Sequence, residues 1–164
     1  MLNKTREKIK TLKDMISIVK RLHSEGRTVV FTNGCFDIIH AGHIFYLEKA
    51  KEFGDFLIVG LNSDVSIRKI KGEKRPLIPQ KQRAIVLSAL ECVDYVLIFD
   101  EENPLKLISL LSPHILVKGG DWTKENIIGR DIVEEKGGKV YSLPLLNGVS
   151  TSGIIETILK NFKN

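Results

Sequence analysis

The chain has 164 residues, of which 43% are hydrophobic and 27% charged, and it carries a net charge of +5 at pH 7. That composition supports one sizeable buried core, and the absence of any apolar run near the ~20 residues needed to cross a bilayer excludes a helical membrane protein. The amino-terminus is polar and lysine-rich without a signal-peptide core, and two distant cysteines, Cys35 and Cys92, supply neither a disulfide framework nor a zinc set, so the expected compartment is the cytoplasm.

Leu12, Met15, Ile16, Val19 and Leu22 recur at helical spacing and Gly26 ends the pattern. This predicts an amphipathic helix within residues 1–26, packed on a domain formed by residues 27–164, with one domain overall. Thr28 to Thr32 is β-branched and aromatic and reads as a buried strand broken by Asn33-Gly34. Next comes a helix over Ile44 to Phe53, beginning near Gly42 and closed by Gly54, and then a second strand from Phe56 to Leu61. A basic loop leads to a helix over Gln80 to Leu90, a third strand over Tyr95 to Phe99, and a helix opened by Asn103-Pro104 and running through Leu110. Ile115 to Val117 is a fourth strand that runs into Lys118-Gly119-Gly120-Asp121. A helix around Glu125 to Glu135, a fifth strand over Val140 to Leu143 and a last helix starting at Ser150-Thr151 complete the chain. Strands alternating with helices predict an α/β, Rossmann-like, doubly wound parallel five-stranded sheet with helices on both faces. Ligands of such sheets bind at the carboxyl ends of the strands, near the switch in strand order.

The segment from Phe31 to His43 is the most informative, because a strand ends in a glycine turn and then meets His40 and His43 at the start of a helix. Unpaired N–H groups and the positive end of the helix dipole favour an anion there, and both imidazoles would face it. Gly42, lacking Cβ, would let the backbone approach a bound nucleotide. Lys118 can approach phosphate, while Gly119 and Gly120 leave main-chain groups open to a base or ribose. The basic charge is also local. Of the 25 bases and 20 acids, seven bases and one acid lie between Arg68 and Arg83, leaving 18 against 19 elsewhere. That suits a focused polyanion such as a triphosphate better than an extended nucleic-acid surface. Within the segment, Lys71 precedes Gly72 in a loop expected at the active face and Arg83 lies in the first turns of a helix; Lys69, Lys74 and Lys81 read as solvated.

Asn33-Gly34-Cys35-Phe36-Asp37 followed by His40-Ala41-Gly42-His43 resembles the H-x-G-H motif of the cytidylyltransferase-like nucleotidyltransferases. The match is narrower with the adenylyltransferase domain of the bifunctional heptose kinase/adenylyltransferases of lipopolysaccharide core synthesis, in register from about Leu12 to about Ile158. Further matching landmarks are Asn62-Ser63-Asp64, Lys71-Gly72, Arg75-Pro76, Gln82-Arg83, Leu116 to Asp121 and Ser150-Thr151. Related glycerol-phosphate cytidylyltransferases carry an Arg five residues before the matching Ser, where this chain has Leu145, and Ser152-Gly153 departs from the usual Thr and Asn.

The resemblance implies transfer of AMP from ATP to D-glycero-β-D-manno-heptose 1-phosphate, giving ADP-heptose and pyrophosphate. A cytidylyltransferase for a small ester such as glycerol 3-phosphate and a non-catalytic nucleotide-binding regulatory domain are the alternatives. His40, His43 and Lys71 are the expected catalytic residues. Asn33, Gly34, Cys35, Phe36, Gly42, Arg83, Lys118, Gly119, Gly120, Asp121, Ser150 and Thr151 are expected to bind nucleotide, and Asp37 with Lys71 the sugar phosphate. Mg2+ would enter with ATP, with Asp37 the one candidate protein ligand. A homodimer, no nucleic-acid or membrane partner, and a sugar kinase on a separate chain are the remaining expectations.

Overall fold

Five short runs rich in β-branched residues pair entirely in parallel, in the order β3-β2-β1-β4-β5, in a computed structural model that describes residues 2–120 and 122–162. They are β1 Val29–Gly34, β2 Phe56–Asn62, β3 Tyr95–Phe99, β4 Ile115–Gly119 and β5 Lys139–Leu143. Because β2 and β4 flank β1, the strand order reverses between β1 and β4. That is where a doubly wound sheet opens a crevice at its carboxyl edge.

Side chains alternate across the sheet, so each strand feeds two cores. Val29 and Phe31 of β1, Ile58 of β2 and Leu116 of β4 face a cluster with Met15, Val19 and Leu22 from α2 (Leu12–Ser24), and with residues of α6 (Leu105–Leu111) and α7 (Arg130–Glu135). Val30, Val59, Leu61 and Val117 face the other cluster with Leu47 and Ala50 from α3 (Ala41–Lys51) and Ala84 and Leu87 from α5 (Gln80–Ser88). Helices therefore cover both faces, as the alternation of strands and helices predicts. Ahead of α2, a short α1 (Leu2–Glu7) has no counterpart in the sequence reading. The residues after it continue the sheet edge, with Val96 N donating to Lys8 O and Lys10 N to Val96 O, both at 2.9 Å. Thr11 then caps α2 by accepting from the Asp14 N–H.

Two elements differ from expectation. Much of the predicted basic loop is helical: α4 (Asp64–Lys71) starts at Ser63, whose hydroxyl accepts from Ser66 N at 3.1 Å. It buries little apolar surface: Ile67 is buried while Val65 and Ile70 are about 46% exposed. The predicted helix around Glu125 to Glu135 splits into a 3-10 turn (Lys124–Asn126) and α7. Gly129 separates them at φ +89°, and a Cβ there would lie 2.5 Å from Ile108 Cδ1, so the backbone must turn where the helix was expected to continue. The last helix, α8 (Thr151–Phe162), has no fully buried residue.

Candidate active site

β1 ends in Asn33 and Gly34, and the chain then makes a tight excursion through residues 35–39 before His40 caps α3. Phe36 and Ile38 adopt φ +46° and +52°. Left-handed backbone is costly for a β-branched residue and persists only where the surroundings enforce it. Here three anchors do so. The Cys35 carbonyl accepts from Arg83 Nη1 at 2.6 Å, the Asp37 carbonyl from the Thr151 hydroxyl at 2.7 Å, and the Asp37 carboxylate from Leu77 N, Ile78 N and Arg75 at 2.8–2.9 Å.

Those anchors correct two expectations from the sequence. Asp37 is 2% exposed, ion-paired with Arg75 and absent from the lining of the cleft, so its carboxylate holds the basic segment against the loop instead of facing substrate hydroxyls or magnesium. Burial opposes its ionisation, yet the Leu77 and Ile78 amides and the Arg75 guanidinium outweigh it and hold its pKa below the usual carboxylate value. Arg83, 1% exposed, does not reach the cleft. It donates to Ile78 O, Cys35 O and Asn62 O and pairs with Asp64 at 2.7 Å, leaving its guanidinium enclosed by protein.

A cleft of about 480 Å³ opens at the carboxyl ends of β1 and β4. Asn33, Gly34, Cys35, Phe36, His43, Lys71, Lys118 and Gly119 all line it, so residues from four separate stretches of chain converge there as predicted. Lys71 does so as the last residue of α4, not from a loop. Lys118 Nζ donates to Asn33 Oδ1 at 3.1 Å across the β1–β4 switch. His40 is not among the residues lining the cleft; its ring stacks on that of His43, centroids 3.9 Å apart, and its Nδ1 is buried without a hydrogen-bond partner. Gly42 is buried and closely packed. A Cβ there would meet Val149 Cγ1 at 2.8 Å and the His40 ring at 3.1 Å, so the glycine lets the loop before α8 close over the histidine pair.

Other expected nucleotide contacts are differently placed. Ser150 accepts from Gly153 N and thus caps α8, and Thr151 spends its one hydroxyl hydrogen on Asp37 O. Gly120 N donates to Leu143 O, tying the glycine turn to β5, and Asp121 lies outside the described residues. Sequence reasoning missed Tyr46, Asn62 and Trp122, which also line the cleft. Tyr46 lies one helical turn after His43. Its hydroxyl sits 2.5 Å from Thr32 Oγ1 and donates to Val117 O at 3.1 Å, bracing the switch point from above. Trp122 directly follows the glycine turn; its indole N–H donates to Gly119 O and its ring is 48% exposed at the cleft.

A family model described as "Cytidylyltransferase-like" matches residues 31–157, from within β1 into α8. The chain belongs to the cytidylyltransferase-like family. Two curated relatives named "Bifunctional protein HldE", from Citrifermentans bemidjiense and Geobacter sulfurreducens, are each 54% identical over 155 residues, covering 94% of this chain and 32% of theirs. The chain thus spans about a third of the length of these relatives. Among solved structures, the lipopolysaccharide core biosynthesis protein from Thermoplasma volcanium GSS1 aligns with a TM-score of 0.61 and 27% identity, over 74% of this chain and 98% of that one. The pantoate-beta-alanine ligase of Francisella tularensis, complexed with beta-gamma ATP and beta-alanine, shares the fold at a TM-score of 0.64 and 16% identity, over 95% and 79% of the two chains.

The cleft of this cytidylyltransferase-like chain carries two lysines that are not ion-paired. Among the described residues neither Lys71 nor Lys118 has a carboxylate within ion-pair distance. Burial pushes the Lys118 ammonium below the usual lysine value, partly offset by Cys35. Burial, then His40 and Lys71, push His43 down to about 4, so it is neutral at pH 7. His43 Nδ1 accepts a long hydrogen bond, 3.4 Å, from the His40 N–H, which assigns the ring hydrogen to Nε2. Such a site presents the His43 donor and two lysines to an anion, against one carboxylate on its wall among the described residues, Glu102.

Two expected results follow. In an NMR titration the His43 imidazole of the free protein should titrate near pH 4, and ATP should move the midpoint upward, since a bound anion favours the imidazolium. The unfolded chain binds a proton here below about 6.5 and the folded chain only below about 4, so His43 makes stability fall as pH drops through that window. A midpoint near 6.5 unmoved by ATP would remove His43 from the anion site. Trp122 is the single tryptophan of the chain, so its emission isolates this wall of the cleft. ATP should change that emission saturably, and Lys118→Ala should weaken the response; emission indifferent to ATP would place the nucleotide elsewhere.

Proposed function

We propose that the chain transfers AMP from ATP to D-glycero-β-D-manno-heptose 1-phosphate, producing ADP-heptose and pyrophosphate. The observation that carries this reading is the convergence of His43, Lys71 and Lys118 on one carboxyl-edge cleft, with Leu145 on its wall. An apolar Leu145 at the position where glycerol-phosphate cytidylyltransferases carry Arg favours the heptose branch. The bifunctional relatives and the lipopolysaccharide core protein agree with it.

In the proposed reaction an oxygen of the sugar 1-phosphate attacks the α-phosphorus of ATP in line. The bond from that phosphorus to the bridging oxygen breaks, and its electron pair leaves with pyrophosphate. Such chemistry rests on positioning and charge stabilisation. The Nε2–H of His43 is assigned to oxygens on the reacting phosphorus, Lys71 to the phosphates from the α4 side and Lys118 from the β4 side. His40 positions His43 through the backbone N–H to Nδ1 contact and ring stacking. The amides of residues 34–36 line the α-phosphate, held in place by the loop anchors. Gly119 and Trp122 form the opposite wall, beside the base or ribose.

Magnesium is expected to arrive with the triphosphate. The described residues contain no group of three His, Cys, Asp or Glu that could hold a metal, and Asp37 is committed to Arg75, so no protein ligand set fits and no step is assigned to the ion. No described helix is long and apolar enough to cross a membrane. A homodimer, a cytoplasmic setting and a sugar kinase acting upstream accompany this reading.

Pyrophosphate release measured across four nucleoside triphosphates and several phosphate esters tests the assignment. ATP with the heptose 1-phosphate should give the highest kcat/KM. Faster turnover of CTP with glycerol 3-phosphate would move the chain to the other branch, and no release with any pair would favour a regulatory nucleotide-binding domain.

Lys71 and Lys74 provide a sharper internal comparison, being three residues apart on one basic segment with only Lys71 at the cleft. Lys71→Ala should cost at least about tenfold in kcat/KM, or about 1.4 kcal/mol, with thermal stability changed little. Lys74→Ala should alter neither. Equal kinetic losses would mean a diffuse field and withdraw the contact assigned to Lys71.

A further inference from the structure

We propose that the cavity at the amino-terminal edge of the sheet is a second ligand site, taking a small phosphate-type oxyanion. The cavity is about 540 Å³ and lies where β1, β4 and β5 begin, lined by His23, His114, Lys136 and Lys139 together with Thr28 and Ser112. It is separated from the nucleotide cleft by the length of β1, about 16 Å for six residues.

Every titratable side chain lining it is basic. Asp55, the carboxylate nearest in the hydrogen-bond pattern of this edge, is taken by the Thr28 N–H at 2.7 Å and by Arg27. His114 is fixed by the strand starts: its Nδ1 accepts from Val29 N at 3.0 Å, so Nε2 carries the ring hydrogen and can only donate. The His23 ring stands edge-on to it, centroids 4.5 Å apart, with Nε2 buried and without a hydrogen-bond partner. Lys136 reaches across to Ser112 Oγ at 2.5 Å. Burial, then His114 and Lys136, depress the His23 pKa, the mark of a basic cluster whose mutual repulsion is not compensated within the protein.

A metal ion would meet two lysines and no carboxylate, whereas an oxyanion would receive donors from His114, Lys136 and Lys139 and relieve the repulsion. Two or more charges on the ligand suit two ammonium groups better than one. The partner chemistry is therefore a phosphate group, free or as a compact monoester. Because Val29 and Ile115 start the two strands that carry Asn33 and Lys118, occupancy would also tie together the bases of the strands that form the nucleotide cleft.

The experiment titrates inorganic phosphate into the full chain while following the four histidine imidazoles by NMR, against chloride at matched ionic strength. His23 and His114 should shift saturably with phosphate and not with chloride, and the His23 titration midpoint should move upward. Lys136→Ala and Lys139→Ala together should weaken the apparent affinity by about tenfold or more, as for loss of charged hydrogen bonds, while shifts at His40 and His43 remain. Lys139→Ala alone, which leaves the Ser112 contact intact, should weaken it measurably if the double variant fails to fold. The proposal is overturned by the absence of a saturable shift at His23 and His114, by an equal response to chloride, or by affinity unchanged in both variants. A glycerol phosphate titration distinguishes monoester from free phosphate: tighter binding assigns the site to esters, weaker binding to the free ion.

Discussion

His43→Ala is expected to lower kcat by about a hundredfold or more while changing the KM for ATP much less, as for loss of one donor acting on charge that develops in the transition state. His43 lines the cleft and His40 does not, so of the two motif histidines His43 is the one assigned to the reacting phosphate. Its neighbours hold it neutral, with the hydrogen on Nε2, before the substrate arrives. A pre-oriented donor of this kind gains most as negative charge accumulates on phosphoryl oxygens. Steady-state kinetics separate the outcomes: an intact kcat with a raised KM would mean that His43 only binds. His40→Ala supplies the companion measurement. Because His40 acts through its neighbour, its removal should also move the His43 titration midpoint upward, by restoring solvent to the ring and removing one repelling group.

How much of this was readable beforehand depends on the distance over which each residue's environment is set. Strand positions were legible because β-branched runs bounded by glycine describe themselves locally, and Tyr95–Phe99 has the predicted bounds. The convergence of Asn33, His43, Lys71 and Lys118 followed from topology, since each lies at or beside the carboxyl edge of a parallel strand. Asp37 and Arg83 were misread because a charged residue in a motif looks like a ligand until its partners are known. Their partners, Arg75 for one and the carbonyls of Cys35 and Asn62 for the other, lie 21 to 48 residues away and come close only on folding. Thr151 is the same case at a separation of 114 residues. The α4 helix was hidden because only one of its three apolar residues, Ile67, is buried, among five polar or charged ones. Tyr46 and Trp122 were legible in principle, one as a turn's spacing from His43 and the other as the lone tryptophan after a glycine turn.

Arg83→Ala is expected to destabilise the fold by about 3–5 kcal/mol, the range for removing one member of a buried, hydrogen-bonded ion pair. The side chain is enclosed, and its loss strips donors from three carbonyls and leaves Asp64 without its guanidinium. For a domain of this size that corresponds to a fall in Tm on the order of 10 °C. Asp64 also exchanges hydrogen bonds with Gln80, Asp64 N to Oε1 at 2.7 Å and Gln80 N to Oδ1 at 2.8 Å, so the start of α5 would loosen from the start of α4. Removing Asp64 as well should cost less than the sum of the two single changes, because no uncompensated carboxylate remains. Activity supplies the discriminating readout. If Arg83 contacted phosphate directly, Arg83→Ala would lose kcat/KM with Tm nearly unchanged. With the guanidinium instead holding the Cys35 carbonyl, and with it the left-handed Phe36 beside His43, both should fall together. The kinetic loss should persist at low temperature, where the variant is still folded, because the strained turn has lost the donor that keeps its amides aimed at the cleft.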